Sequence, residues 1–158
     1  MKTLILYATK HGATREVAER IASYIDGAVT HDLKSPDIPD LAAFDCVIIG
    51  SSIYAGAIRK EAKTFLSANS NELRGKKLGL FLCGLQENEA EKCFSENFSP
   101  EILQSAVAKS FLGGKFNPSN ANAFERLAMK IVAKQKGVVN TVCTEKIKQF
   151  TESLKEVV

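Results

Sequence analysis

The residue pattern predicts an α/β domain with a doubly wound, five-stranded parallel sheet in the order 2-1-3-4-5 and helices on both faces. Three observations carry this. Five short, almost wholly apolar, β-rich runs punctuate the chain; segments with 3.6-residue apolar periodicity lie between several of them; and the loops that follow the runs are rich in Gly, Ser and Thr. Runs that are apolar on both faces fit strands covered by helices on each side, and strands alternating with helices imply right-handed crossovers.

The first run is Thr3–Ala8, followed by a predicted helix over Thr14–Ile25 in which Val17, Ala18, Ile21, Ala22 and Ile25 share one side and Gly27 provides the stop. Ala28–Asp32 is the second strand. Pro36 and Pro39 make residues 34–44 a loop holding at most a short helical turn. Cys46–Gly50 is the third strand, and Ala62, Phe65 and Leu66 give the following helix, Arg59–Ala68, its apolar side. Lys77–Cys83 and Ala106–Gly113 are the fourth and fifth strands. Phe124, Leu127, Ala128, Ile131 and Val132 form one face of a basic amphipathic segment over Phe124–Lys136, with Arg126, Lys130 and Lys134 repeating every fourth residue on another. Thr144–Val157 closes the chain as an amphipathic helix through Ile147, Phe150, Thr151 and Leu154. No repeat or linker interrupts residues 1–158, so one domain is expected.

Composition excludes several classes. With 158 residues, 45% hydrophobic and 25% charged, the chain is long enough to bury a core without disulfides or structural metal. No apolar run approaches the ~20 residues needed to cross a bilayer, and the N-terminus has no secretory pattern, so a cytoplasmic protein is expected. Cys46, Cys83, Cys93 and Cys143 are scattered and are read as reduced, mostly buried thiols. With only His11 and His31 besides, no metal site is expected. Residues 1–104 carry 12 Lys/Arg against 14 Asp/Glu, and residues 105–158 carry 9 against 4. The basic C-terminal third suits an anionic ligand or an anionic membrane surface, or is a solvated face.

In an open parallel sheet, ligands bind beyond the carboxyl ends of the strands, at the switch between the first and third. After the first strand comes Thr9-Lys10-His11-Gly12-Ala13-Thr14, which opens a helix: hydroxyls, a flexible glycine and free backbone N–H groups make a phosphate cradle, the alternative being a plain turn. Neither a Walker nor a dinucleotide glycine pattern is present, so a single phosphate is favoured. After the third strand, Gly50-Ser51-Ser52-Ile53-Tyr54-Ala55-Gly56 offers hydroxyls, amides and an aromatic face.

These two loops resemble those of the flavodoxin family, and the resemblance covers essentially the whole chain. It implies that flavin mononucleotide (FMN) is the cofactor and that Thr9, Lys10, His11, Gly12, Ala13 and Thr14 hold its phosphate. It further implies that Ser51, Ser52, Ile53, Tyr54, Ala55 and Gly56 line one side of the isoalloxazine, and Cys83, Gly84, Leu85, Gln86 and Glu87 the other. For Tyr54 the competing reading is burial against the helix that follows, and for Cys83 a structural thiol. Many flavodoxins stack an aromatic residue from the third loop; this chain has none there, so that face is open or covered by Leu85. The basic segment 124–136, Ser52-Ile53 and the Gly113-Gly114-Lys115 turn resemble the menaquinone-dependent protoporphyrinogen oxidase branch, although no long insert suited to a substrate lid is evident.

The resemblance implies an oxidoreductase passing electrons from a porphyrinogen-like substrate to a quinone, with the basic helix lying on membrane or packed as an edge helix. The alternative is an electron carrier docking redox partner proteins, which the sequence pI near 8.6 disfavours because such carriers are mostly acidic. A fold that has lost its flavin is a third reading, opposed by the intact loop hydroxyls. A phosphoacceptor receiver would need acidic residues where Ala8-Thr9-Lys10 and Gly50-Ser51 stand, a serine hydrolase would need a G-x-S-x-G elbow, and no aromatic platform or reader motif supports nucleic-acid binding.

Overall fold

A strand that is apolar on both faces is stable only between two layers, and β1 (Thr3–Ala8) is buried along its whole length. In the computed structural model, which describes residues 1–132 and 137–156, β1 pairs in parallel with β2 (Val29–Asp32) on one side and β3 (Cys46–Tyr54) on the other. β3 turns back into the two-residue β4 (Ala57–Ile58), its antiparallel partner. β5 (Lys77–Cys83) pairs in parallel with β3, and β6 (Ala106–Phe111) with β5. The order is β2-β1-β3-β5-β6, which is the predicted order once the short β4 is set aside.

Successive residues of a strand face opposite layers, and the core divides accordingly. Leu4, Leu6, Val47, Ile49, Leu80 and Leu82 pack under α2 (Lys60–Arg74), α3 (Ala90–Asn97) and α4 (Pro100–Ser105). Ile5, Tyr7, Ile48 and Phe81 pack under α1 (Ala13–Ser23) and α6 (Thr144–Glu156). Each fully buried Leu or Ile contributes roughly 1.5–3 kcal/mol of transfer free energy. Gly50 is where the second layer permits no side chain: a Cβ there would lie 1.9 Å from the Phe81 ring.

Three departures from the sequence reading matter for function. The third strand runs on to Tyr54, because pairing of Tyr54 with Ala57 carries the ladder into a hairpin where a free loop was expected. Between β5 and β6 lie α3 and α4, helices too short to show strong periodicity. α4 starts at a proline behind Ser99, whose hydroxyl accepts from the Ile102 N–H. After β6 the chain forms β7 (Lys115–Phe116), α5 (Ala123–Val132) and β8 (Val139–Asn140), with β7 and β8 paired antiparallel. The predicted basic segment thus includes α5, and its Lys134 and Lys136 lie outside the described residues. Among the described residues no helix is long and apolar enough to cross a membrane.

Candidate ligand site at the strand ends

β1 delivers the chain to a helix N-terminus through Gly12. That residue has φ +94°, a left-handed conformation that an L side chain resists, and it stands at the N-cap of α1 with no side-chain cap. The Thr9 hydroxyl accepts from the Gly12 N–H at 2.9 Å, closing the loop on itself. The first amides of α1 therefore keep the unpaired donors and positive partial charge of a helix start. Two hydroxyls at this end of the sheet, Thr14 Oγ1 and Ser52 Oγ, are buried without a hydrogen-bond partner. Buried polar groups are ordinarily satisfied, so an orphaned pair beside a helix N-terminus marks room for a polar ligand.

The cations of the loop are engaged by a residue far along the chain. Lys10 and His11 both pair with Glu125 of α5, His11 Nε2 lying 3.3 Å from Glu125 Oε2. Glu125 is 6% exposed, and its carboxylate also accepts from the Asn122 N–H while the Asn122 side chain accepts from the Glu125 N–H. That reciprocal pair caps the start of α5. Lys10 Nζ stands 3.8 Å from the centre of the Tyr54 ring, a cation–π contact. Burial first, then the Lys10 and Arg59 cations, push the His11 imidazole below its usual value.

The turn after β3 is tightly held. Ala55 and Gly56 have φ of +50° and +77°, the pair of left-handed residues that a two-residue hairpin needs. Asn97, at the end of α3, accepts from the Ile58 N–H and donates to the Gly56 carbonyl. Ser51 Oγ accepts from the Arg59 N–H at 2.9 Å and donates to the Ser52 carbonyl. Tyr54 is 39% exposed and faces Lys10 rather than being buried against α2.

Between these loops lies a cavity of about 420 Å³, within the range of small-molecule sites. Of the predicted site residues, Thr9, Lys10, His11, Ala13, Ser52, Ile53, Tyr54, Ala55, Gly56, Cys83, Gly84, Leu85 and Gln86 line it. Gly12, Thr14 and Ser51 lie behind the wall as backbone and buried support. Glu87 is turned away and pairs with Lys146, while Glu89 lines the cavity in its place. Leu85 lines the third loop's side, and the Cys83 thiol is pushed up to about 12 by burial. Among the described residues no group of three His, Cys, Asp or Glu is placed to hold a metal.

The sequence reading missed the roof. Phe124, Ala128 and Met129 of α5 line the cavity with Phe111 and Phe116, so a covering segment exists where none was expected. Its sequence signal was Asn122-x-x-Glu125, a helix-cap pattern that puts the start of α5 at Ala123. Asn97 carried no such signal.

A parallel sheet with a mostly apolar cleft at its switch point, a phosphate-type loop on one flank and a strained hairpin on the other, defines a nucleotide-type ligand-binding α/β protein. Residues 4–141 match the flavodoxin domain model, and the chain belongs to that family. It is similar to protoporphyrinogen IX dehydrogenase [quinone] of Escherichia coli K12, at 24% identity over 150 residues, 87% of this chain and 81% of that one. Among solved structures it is similar to oxidised flavodoxin 2 from Bacillus cereus, at 23% identity with a TM-score of 0.62 over 100% of both chains. It is also similar to a flavoprotein from Lactobacillus acidophilus in complex with FMN, at 20% identity with a TM-score of 0.51, covering 72% of this chain and 91% of that one.

Proposed function

We propose that this chain, acting as one unit over residues 1–158, is an FMN-binding oxidoreductase that takes electrons from a porphyrinogen-like substrate and passes them to a quinone. The residues fit the cofactor: two orphaned hydroxyls beside a helix N-terminus suit a phosphate, and an apolar cleft between Tyr54 and Leu85 suits a flat ring system. Thr9 to Thr14 would hold the phosphate, Ser51 to Gly56 one side of the ring and Cys83 to Gln86 the other, with Glu87 outside that contact set. When bound, FMN supplies the electron-accepting chemistry. The protein's part is to bind it and hold the 54–57 turn rigid beside it.

The observation that carries the oxidoreductase reading over the electron-carrier reading is the roof. α5 places Phe124, Ala128 and Met129 over the cleft, giving it an apolar wall that a small hydrophobic substrate can occupy. The similarity to the E. coli protoporphyrinogen IX dehydrogenase [quinone] supports the same donor and acceptor. The outer side of α5 leaves Leu127 55% and Ile131 68% exposed, with Arg126 and Lys130 alongside, while its acid Glu125 is turned inward. An apolar stripe flanked by cations suits the surface of an anionic bilayer, where quinone resides, and supports a peripheral position on the inner face of the membrane.

The test is reconstitution with FMN followed by anaerobic protoporphyrinogen and a water-soluble menaquinone analogue. Bleaching of the flavin band by the porphyrinogen and its return with the quinone support the proposal. A bound flavin inert to porphyrinogen but reduced by a flavodoxin reductase assigns the chain to electron carriage instead.

A further inference from the structure

The buried carboxylate of Glu125 sits on the Lys10 ammonium and the His11 imidazole, beside the helix start of α1. Lys10 and His11 belong to the loop before α1, and Glu125 reaches them from 114 or more residues away as the inward acid of α5. Among the described residues of that helix Phe124, Leu127 and Ile131 are exposed, and the excursion that contains α5 leaves and returns at the β7–β8 ribbon. The ribbon itself is fixed to the sheet end, since the Gly84 N–H donates to the Gly113 carbonyl on one side of it and the Cys143 N–H donates to the Leu112 carbonyl on the other. A segment that leaves and returns at this ribbon, and whose described acid Glu125 faces inward, can move without disturbing the sheet.

We propose that Glu125 is an internal competitor for the loop's anion site: its carboxylate holds α5 down on Lys10 and His11, and the phosphate of an incoming ligand displaces it and frees α5. This rests on the reading that the loop takes a phosphate. A phosphate monoester offers more negative charge and three acceptor oxygens against the carboxylate's two, so it displaces Glu125 from the Lys10 ammonium and from a His11 N–H that cannot serve both fully. Glu125 thereby determines specificity, because a flavin without a phosphate has nothing to exchange for the Lys10 and His11 contacts. Displacement also turns Glu125 outward and loosens the cover of the cleft, which couples loading of the site to opening of its roof.

The experiment follows hydrogen exchange of residues 123–132 in the free protein, with inorganic phosphate and with FMN, in the wild type and in Glu125→Gln. FMN and riboflavin affinities are measured for both proteins by fluorescence titration. Phosphate and FMN are expected to speed exchange in α5 of the wild type, and Glu125→Gln to speed it with no ligand present. The variant is expected to bind FMN about tenfold more tightly, the scale of one charge-assisted hydrogen bond, with riboflavin unchanged. Unaltered α5 exchange on adding phosphate and FMN, or FMN binding that is equal or weaker in the variant, overturns the proposal. A wild type that opens with inorganic phosphate but binds no FMN upholds the competitor and refutes the flavin reading.

Discussion

The side-chain amide of Asn97 donates to the carbonyl of Gly56 at 2.8 Å, tying the end of α3 to the hairpin that borders the cleft. The same side chain donates to the Cys93 carbonyl and accepts from the Ile58 N–H, so one residue fixes the turn and its returning limb. Ala55 holds a left-handed conformation there, which costs an L residue roughly 1–2 kcal/mol and persists because the surroundings enforce it. Asn97→Ala is expected to lower unfolding free energy by about 2 kcal/mol, since hydrogen bonds of this kind contribute about 1 kcal/mol each net and the freed backbone groups reach water only in part. Urea denaturation checks this, and an unchanged midpoint contradicts the clamp.

Thr14 is fully buried with its hydroxyl unpartnered. Removing that hydroxyl therefore sacrifices no strong bond in the free protein. Thr14→Ala is expected to change stability by less than about 1 kcal/mol while weakening FMN binding by about tenfold, the scale of one hydrogen bond to a charged group. Calorimetric stability and flavin titration on the same preparation separate the two effects, and a variant that loses stability but not affinity makes Thr14 a core residue only.

At the centre of the sheet the close approach of Gly50 and Phe81 leaves no room for a methyl group. Gly50→Ala is expected to cost about 1–3 kcal/mol or more through overpacking. Adding Phe81→Leu is expected to recover part of the loss, which chemical denaturation of the single and double variants reads directly.

Burial pushes the Cys46 thiol up from 9.0 to about 11 and the Cys83 thiol from 9.0 to about 12. A folded-state value above the unfolded one favours the thiol form in the fold. That contribution to stability is full below about pH 9 and is lost as pH rises through 11 and 12. Denaturation midpoints are expected to fall steadily above pH 9, and iodoacetamide at neutral pH to label Cys143, which is partly exposed, well before Cys46, Cys83 or Cys93, which are buried. Early labelling of Cys83 contradicts this account of the cleft wall.

How much of this was legible in the sequence follows from where the information lies. β1 announced itself because Leu4, Ile5 and Leu6 need two covering layers, and Thr9 to Thr14 did so because a hydroxyl- and glycine-bearing turn between strand and helix has few other uses. The 54–57 hairpin was half visible in Gly56, but Ala55 gave no hint of its positive φ, a conformation imposed from α3. α3 and α4 were hidden by shortness. Glu125 was illegible as a buried residue, since an acid in a basic amphipathic segment reads as solvated; its partners Lys10 and His11 lie at the other end of the chain, and only the fold brings them together.

The most direct measurement is a fluorescence titration of FMN with the purified protein and with Thr14→Ala beside it. The account predicts saturable quenching at one FMN per chain and a roughly tenfold weaker affinity in the variant. Absence of saturable binding, or equal affinity in the two proteins, would contradict the assignment of the strand-end cleft as a flavin site held through the α1 loop.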